Sequence, residues 1–354
     1  MLPALLLCLA YDGPVKFDLV ASLEPLPDDS DYFLERPGNF DVDQDGNYYV
    51  VDTDAKVVFA WDKEGNFLRA IGKPGGGPGE FQFSGRGPGG GYVTVHDGLL
   101  YIYDSRKREN MLFDTEGNFK KAMELSKIQR ARVRNLTVTK DGSYLMHRSR
   151  FTEEGGVTEV KLLDKDGKEV TTFQESKNDS FRMRGRRGGG RPTSFTIRAF
   201  NPDLVSSFDR QNGRVLIGHS SAPSFDVYDL KGNKKTIKVK LPQKDLTQAD
   251  KDEYQKLFEG RSRGGRGINI EYPDKKPFFT HLMSVGDKGY LAYTESPHYK
   301  NIEGVHIDKN GKLVGRFELE CGVGGGFYAS NGRTLLVGMN EDDEYDLKEL
   351  AIRK

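Results

Sequence analysis

A two-beat glycine repeat constrains this chain more than any other feature. Glycine follows Asp, Asn or Lys at Gly46, Gly98, Gly142, Gly213, Gly289 and Gly332. Five of these are followed, 19 to 25 residues on, by Asp-x-x-Gly-(Asn/Lys), at Asp62/Gly65, Asp114/Gly117, Asp164/Gly167, Asp229/Gly232 and Asp308/Gly311. Between the signals lie β-formers such as Tyr48-Tyr49-Val50-Val51, Leu99-Leu100-Tyr101-Ile102-Tyr103, Val215-Leu216-Ile217 and Tyr290-Leu291-Ala292-Tyr293. Glycine supplies the positive φ a hairpin needs, and a neighbouring Asp or Asn side chain closes the turn. Each period therefore reads as strand, glycine turn, strand, variable tip, strand, Asp-x-x-Gly turn, strand.

A four-stranded antiparallel meander repeated around an axis is the blade of a β-propeller. Six first turns predict six blades. The sixth has no second turn and is one strand short. The segment Phe17-Asp18-Leu19-Val20-Ala21-Ser22-Leu23 resembles a fourth strand such as Phe67-Leu68-Arg69-Ala70-Ile71. Pairing it into the last blade would close the ring and remove the open edge. The expected fold is thus all-β, one six-bladed propeller over residues 15–354, with insertions at 177–205 and 243–277. A short helical insertion falls between blades four and five. In the segment Leu246 to Phe258, Thr247 serves as N-cap with Asp250 three residues on, and Leu246, Tyr254, Leu257 and Phe258 face the disc.

The first period, Phe40-Asp41-Val42-Asp43-Gln44-Asp45-Gly46-Asn47-Tyr48-Tyr49-Val50-Val51-Asp52 followed by Phe59-Ala60-Trp61-Asp62-Lys63-Glu64-Gly65-Asn66-Phe67, resembles an NHL repeat. The linker Ile71-Gly72-Lys73-Pro74-Gly75-Gly76-Gly77-Pro78-Gly79-Glu80-Phe81 adds to the likeness. Blades three to six keep the turn signals without the linker. The resemblance implies the propeller fold. It leaves activity open, because NHL-type members include binding modules, RNA-binding domains and a few lyases.

In such a meander the short glycine turns share one face of the disc, and the second tips and inter-blade linkers share the other. The long segments 177–205 and 243–277 belong to this second face, and long loops in compact domains commonly carry function. Segments 72–91, 126–133, 177–205 and 243–277 together carry a net charge of +10 in a chain whose total is zero. Candidate ligand-binding residues are Arg182, Arg184, Arg186, Arg187 and Arg191 in the first insertion, with Arg261, Arg263 and Arg266 in the second. Arginine offers a fork of donors matched to carboxylate, phosphate or sulfate. The leading expectation is a non-enzymatic binding propeller whose arginine-rich face docks an anionic ligand or an acidic protein surface. Nucleic acid is not the expected partner, because no aromatic stacking set accompanies the arginines.

A metal-dependent lyase or hydrolase at the channel mouth and an RNA-binding NHL domain stand as rivals. No catalytic residue, cofactor or metal is assigned. His147, His219 and His281 are the set a channel metal would draw on. His219 occupies the position held by Asp52 and Asp104 after the second strand of blades one and two, His147 falls one residue short of it, and His281 opens an innermost strand. Asp41-x-Asp43-x-Asp45-Gly46 imitates a calcium loop, but strand alternation follows it where a helix is required. Gly85-x-Gly87-x-x-Gly90 precedes no helix and reads as a linker.

Mean hydropathy is −0.64, and no segment is long and apolar enough to span a bilayer. Two distant cysteines, Cys8 and Cys321, define no disulfide framework. Residues 1–14, with the run Leu2 to Ala10, read as a signal-peptide remnant. The expected location is extracytoplasmic, periplasmic or secreted, with lipid anchoring through Cys8 as an alternative.

Overall fold

All eleven turn glycines adopt positive φ, between +59° and +104°. The Asp-x-x-Gly turns show why their composition recurs. Asp62 Oδ1 accepts the Asn66 backbone N–H at 2.9 Å, while the Asn66 side-chain amide donates back to Oδ2 at 2.6 Å. Asp114 with Asn118 and Asp229 with Asn233 repeat the arrangement. The residue after the glycine is therefore a working part of the turn.

The computed structural model describes residues 13–83, 90–124, 131–152, 155–184, 194–256, 267–294, 301–322, 325–340 and 342–353. Blade one comprises Pro37–Val42, Tyr48–Asp52, Val57–Trp61 and Phe67–Ile71, and blade two Gly91–His96, Leu99–Asp104, Glu109–Asp114 and Phe119–Glu124. Blade three comprises Ala131–Val138, Tyr144–Thr152, Gly155–Leu163 and Glu169–Asn178. Blade four follows with Leu204–Asp209, Arg214–His219, Ser224–Asp229 and Lys234–Lys238, and blade five with His281–Ser284, Tyr290–Thr294, Asn301–Ile307 and Leu313–Glu320. Blade six is made of Gly326–Ser330, Arg333–Met339 and Tyr345–Ile352, completed by Phe17–Leu23. The closing pair is antiparallel and runs from Phe17 opposite Ile352 to Leu23 opposite Leu347.

Tyr48-Tyr49-Val50-Val51 and Val57–Trp61 are apolar without interruption because these central strands of blade one are buried on both faces. Along Tyr48–Asp52 side chains alternate sides. Tyr48 and Val50 join Phe59, Trp61, Leu335, Val337 and Leu347 in the core between blades one and six. Tyr49 and Val51 join Val58, Val93, Val95, Leu100 and Ile102 in the core between blades one and two. Burying one large apolar side chain contributes about 1.5–3 kcal/mol, so the ring is held by these wedges rather than by a single centre.

Buried aspartates fasten the linkers of blades one and two. Asp52 is fully buried and accepts from the backbone N–H of Glu35, Arg36, Asp54 and Ala55, tying the incoming chain to the tip that follows. Asp104 does the same in blade two, accepting from Gln82, Arg106 and Lys107. Between them, the Gly-Pro-Gly-Glu linker folds on itself: Lys73 and Pro74 pair in parallel with Glu80 and Phe81, and Phe81 stacks on Phe83 at 4.6 Å.

Two expectations are corrected. His147 is not at the end of a second strand. Blade three's strand continues to Thr152, because Tyr144–Thr152 and Gly155–Leu163 form a longer hairpin than in other blades. The two insertions are also more than loops. Phe181–Arg184 pairs antiparallel with Ser194–Arg198, which pairs in parallel with Gly267–Glu271, giving a three-stranded sheet built from both. The helix forms at Gln248–Lys256 with the expected cap: Thr247 Oγ1 accepts the Asp250 N–H at 3.2 Å, and Asp250 Oδ2 accepts the Thr247 N–H at 2.9 Å. Tyr254 meets Phe200 at 5.2 Å and Leu246 is buried, while Leu257 and Phe258 lie outside the described residues.

Candidate binding face

The two ends of the propeller differ. At the short-turn end, the first turns converge on Asp41, a buried residue near the end of the inner strand of blade one. Its carboxylate accepts from Ser330 Oγ at 2.5 Å, Asn331 Nδ2 at 2.8 Å and the Val95 N–H at 2.7 Å, and is paired with Arg210 of blade four. Burial raises the Asp41 pKa, with Arg210 and the hydrogen bonds opposing it. Outside this plug lies a cavity of about 620 Å3 lined by both signs of charge, including Asp43, Asp45, Asp97, Lys140 and Arg333. Two of the three calcium-like aspartates, Asp41 and Asp43, are spent on structure. Asp43 accepts from the Asp45 and Asn47 N–H groups and from Tyr49 OH, while Asp41 serves the plug.

The opposite end carries the linkers, the helix and the added sheet. Its register settles one question that sequence left open. Arg184 lies opposite Ser194, and Ser194 lies opposite Gly267. The described residues that flank segments 185–193 and 257–266 on the sheet, Arg184, Ser194 and Gly267, are therefore neighbours in one row. Both arginine-bearing insertions are anchored at one end of one sheet. Arg182 and Arg184 occupy strand positions there, while Arg186, Arg187, Arg191, Arg261, Arg263 and Arg266 lie outside the described residues. Alternation places Ile197, Ile268 and Ile270 on one face of this sheet, and Thr196, Arg198, Asn269 and Glu271 on the other.

The histidines are dispersed in their bonding. His147 is buried and meets Ser206 Oγ through Nδ1 at 2.9 Å. His219 ends its strand opposite Leu204, as Asp52 lies opposite Pro37 and Asp104 opposite Gly91, but its Nδ1 meets Ser221 Oγ at 2.6 Å. Ser220 takes over the linker bond, accepting from the Asp203 N–H at 3.0 Å. His281 opens the inner strand of blade five and stacks on Tyr293 at 4.7 Å, with Thr280 Oγ1 3.0 Å from Nδ1. Burial lowers His147 to about 3, with Arg134 adding to the effect, and lowers His281 to about 4. Among the described residues, no group of three or more His, Cys, Asp or Glu is placed to hold a metal ion.

Sequence reasoning missed Arg132 and Arg134, which lie in the inner strand Ala131–Val138 rather than in a linker. Their signal was the alternation Arg130-x-Arg132-x-Arg134 at the start of a β run.

Residues 25–86 match a family described as DUF5128, 6-bladed beta-propeller. A member of the DUF4221 family from Bacteroides vulgatus is similar in structure, with a TM-score of 0.53 at 11% identity over 96% of this chain and 99% of that one. A candidate exported protein from Bacteroides fragilis gives a TM-score of 0.54 at 12% identity, over 96% of each chain. At such identity the likeness shows the fold alone. Virginiamycin B lyase from Staphylococcus aureus, at 9% identity over 95% of this chain and 100% of that one, has a TM-score of 0.46 and carries no argument. No curated protein matches the sequence. Among the described residues, no helix is long and apolar enough to cross a membrane.

Proposed function

We propose that the chain is a non-enzymatic binding propeller that docks an anionic ligand or an acidic protein surface on its linker face. The observation that supports it is the register Arg184–Ser194–Gly267, which gathers both arginine-bearing insertions at one sheet end. In sequence the two insertions carry eight arginines: Arg182, Arg184, Arg186, Arg187, Arg191, Arg261, Arg263 and Arg266. Guanidinium groups so concentrated favour multidentate contact with carboxylates or phosphates. Placement among NHL-type propellers belongs to the same reading, supported by the linker from Ile71 to Phe81. An extracytoplasmic location belongs to it too, supported by the apolar run Leu2 to Ala10.

The test is fluorescence anisotropy with labelled polyglutamate at about 150 mM salt, where long-range steering is screened. Replacing the eight arginines by Gln should weaken binding roughly tenfold or more, about 1.4 kcal/mol, at unchanged Tm. Equal affinity in the two proteins would overturn the reading.

A further inference from the structure

The linker from blade six to blade one, residues 24–36, is packed on its inner side and bare on its outer side. Leu26, Tyr32 and Leu34 pack against the core between those blades, and Tyr32 meets the Phe59 ring edge-on at 6.2 Å. The Ser30 N–H donates to the Pro27 carbonyl at 2.9 Å, the Tyr32 N–H to Ser30 Oγ at 3.2 Å, and the Glu35 and Arg36 N–H groups to Asp52. So fastened, the loop presents Phe33 to solvent at 78% exposure, the highest among the exposed large apolar side chains. Four exposed carboxylates flank it in sequence, Asp28, Asp29, Asp31 and Glu35. None of the four makes an ion pair among the described residues, and Arg36 pairs with Asp54.

An aromatic ring held outward between carboxylates suits one side chain above others. A guanidinium stacks on the ring face and forks onto a carboxylate, so arginine meets both demands. The fold has already met the cost of ordering the loop. The chain itself supplies the complement: in sequence, segments 185–193 and 257–266 carry six arginines against the single carboxylate of Glu259. Net charge over the whole chain is zero, so two copies do not repel overall.

Position matches charge. Both elements belong to the same end of the disc, because each leads from an outer strand to the next inner strand. The linker between blades six and one and the insertion between blades three and four lie three blades apart in a ring of six, which is half a turn. A two-fold axis between two facing discs, at right angles to the line joining these linkers, exchanges them. We infer that the linker face forms a face-to-face dimer in which Phe33 and its four carboxylates receive the arginine-bearing segments of a second copy. Two equal contacts then close the pair. The inference rests on the docking reading above and names its acidic protein surface.

Sedimentation velocity of the full chain, from about 1 µM to about 1 mM, tests it at about 50 mM and about 500 mM salt. The wild type should dimerise at the lower salt and dissociate at the higher. Phe33→Ser should weaken the dimer roughly tenfold or more at unchanged Tm. A loop variant, Asp28→Asn/Asp29→Asn/Asp31→Asn/Glu35→Gln, and the variant with the eight arginines replaced should each be monomeric, while a mixture of the two associates through the one contact left. A monomeric wild type, a dimer that either variant retains, or a mixture that stays monomeric would each overturn the inference. Contact between loop and insertions within one chain would show as the first, and strand exchange between rings as the second. Polyglutamate separates the two readings, because the loop variant should bind it as the wild type does. A monomeric wild type that binds polyglutamate through its arginines removes the dimer alone, whereas equal polyglutamate affinity without the arginines removes the docking reading.

Discussion

Arg210, in the first turn of blade four, donates from Nη1 to Asp41 on the inner strand of blade one, so a buried ion pair crosses the propeller axis. Its Nη2 donates to the Val95 carbonyl of blade two. With Ser330 and Asn331 of blade six also bound to Asp41, one carboxylate joins blades that are not all neighbours in sequence or in space. Inter-blade wedges resist sliding between adjacent blades, and this pair resists opening across the ring.

Asp41→Ala should therefore cost more than a surface ion pair. Removing one partner leaves a buried guanidinium without its counter-charge, worth about 3–5 kcal/mol, and strips acceptors from Ser330, Asn331 and Val95. Urea denaturation measures the loss. A change below about 1 kcal/mol would mean that the turn face relaxes around the vacancy and the pair does not brace the axis.

The turn glycines separate backbone strain from collision. Gly98 has φ +69° and open space around an added Cβ, so Gly98→Ala should cost only the left-handed backbone penalty, about 1–2 kcal/mol. Gly65 has φ +96°, and its Cβ would stand 2.2 Å from the Ser22 carbonyl oxygen of the closing strand. Gly65→Ala must push that strand as well and should be clearly the worse of the two. Matched denaturation curves compare them, and equal losses would refute the collision.

Two histidines predict acid sensitivity. Burial holds His147 at about 3 and His281 at about 4, below the ~6.5 of an unfolded chain. Since the folded values are depressed, the unfolded state takes up protons first as pH falls. Stability is full above about pH 6.5 and declines toward pH 4, with each histidine contributing roughly 1.4 kcal/mol per pH unit. Melting curves of wild type and a His147→Gln/His281→Gln double variant over this range test it. The double variant should lose less, and parallel slopes would remove the histidines as the cause.

The ring was legible because its signals are local. Positive-φ glycines and their Asp or Asn partners act within four residues, so six blades and the closing strand could be counted. The helix cap at Thr247 and Asp250 was legible for the same reason. The added sheet was not: Ser194 meets Gly267 across 73 residues, and short strands flanked by Arg-Gly sequence look like loops until a distant partner is known. His147 misled because a conserved blade length was assumed where blade three extends its hairpin. Arg134 escaped because a bulge has no sequence signature here, and Asp203, with which it pairs, enters from the next blade.

The closing pair sets an order on folding. Phe17 and Ile352 are partners across nearly the whole chain, so the first strand made is the last to find its mate. Five blades can form as their hairpins are synthesised, but the sixth stays open until the C-terminal strand is free. Before the two meet, the free edge of Tyr345–Ile352 and the unattached Phe17–Leu23 are complementary between molecules as well as within one. The clasp that seals a single ring is thus also the place where two unfinished rings could exchange strands.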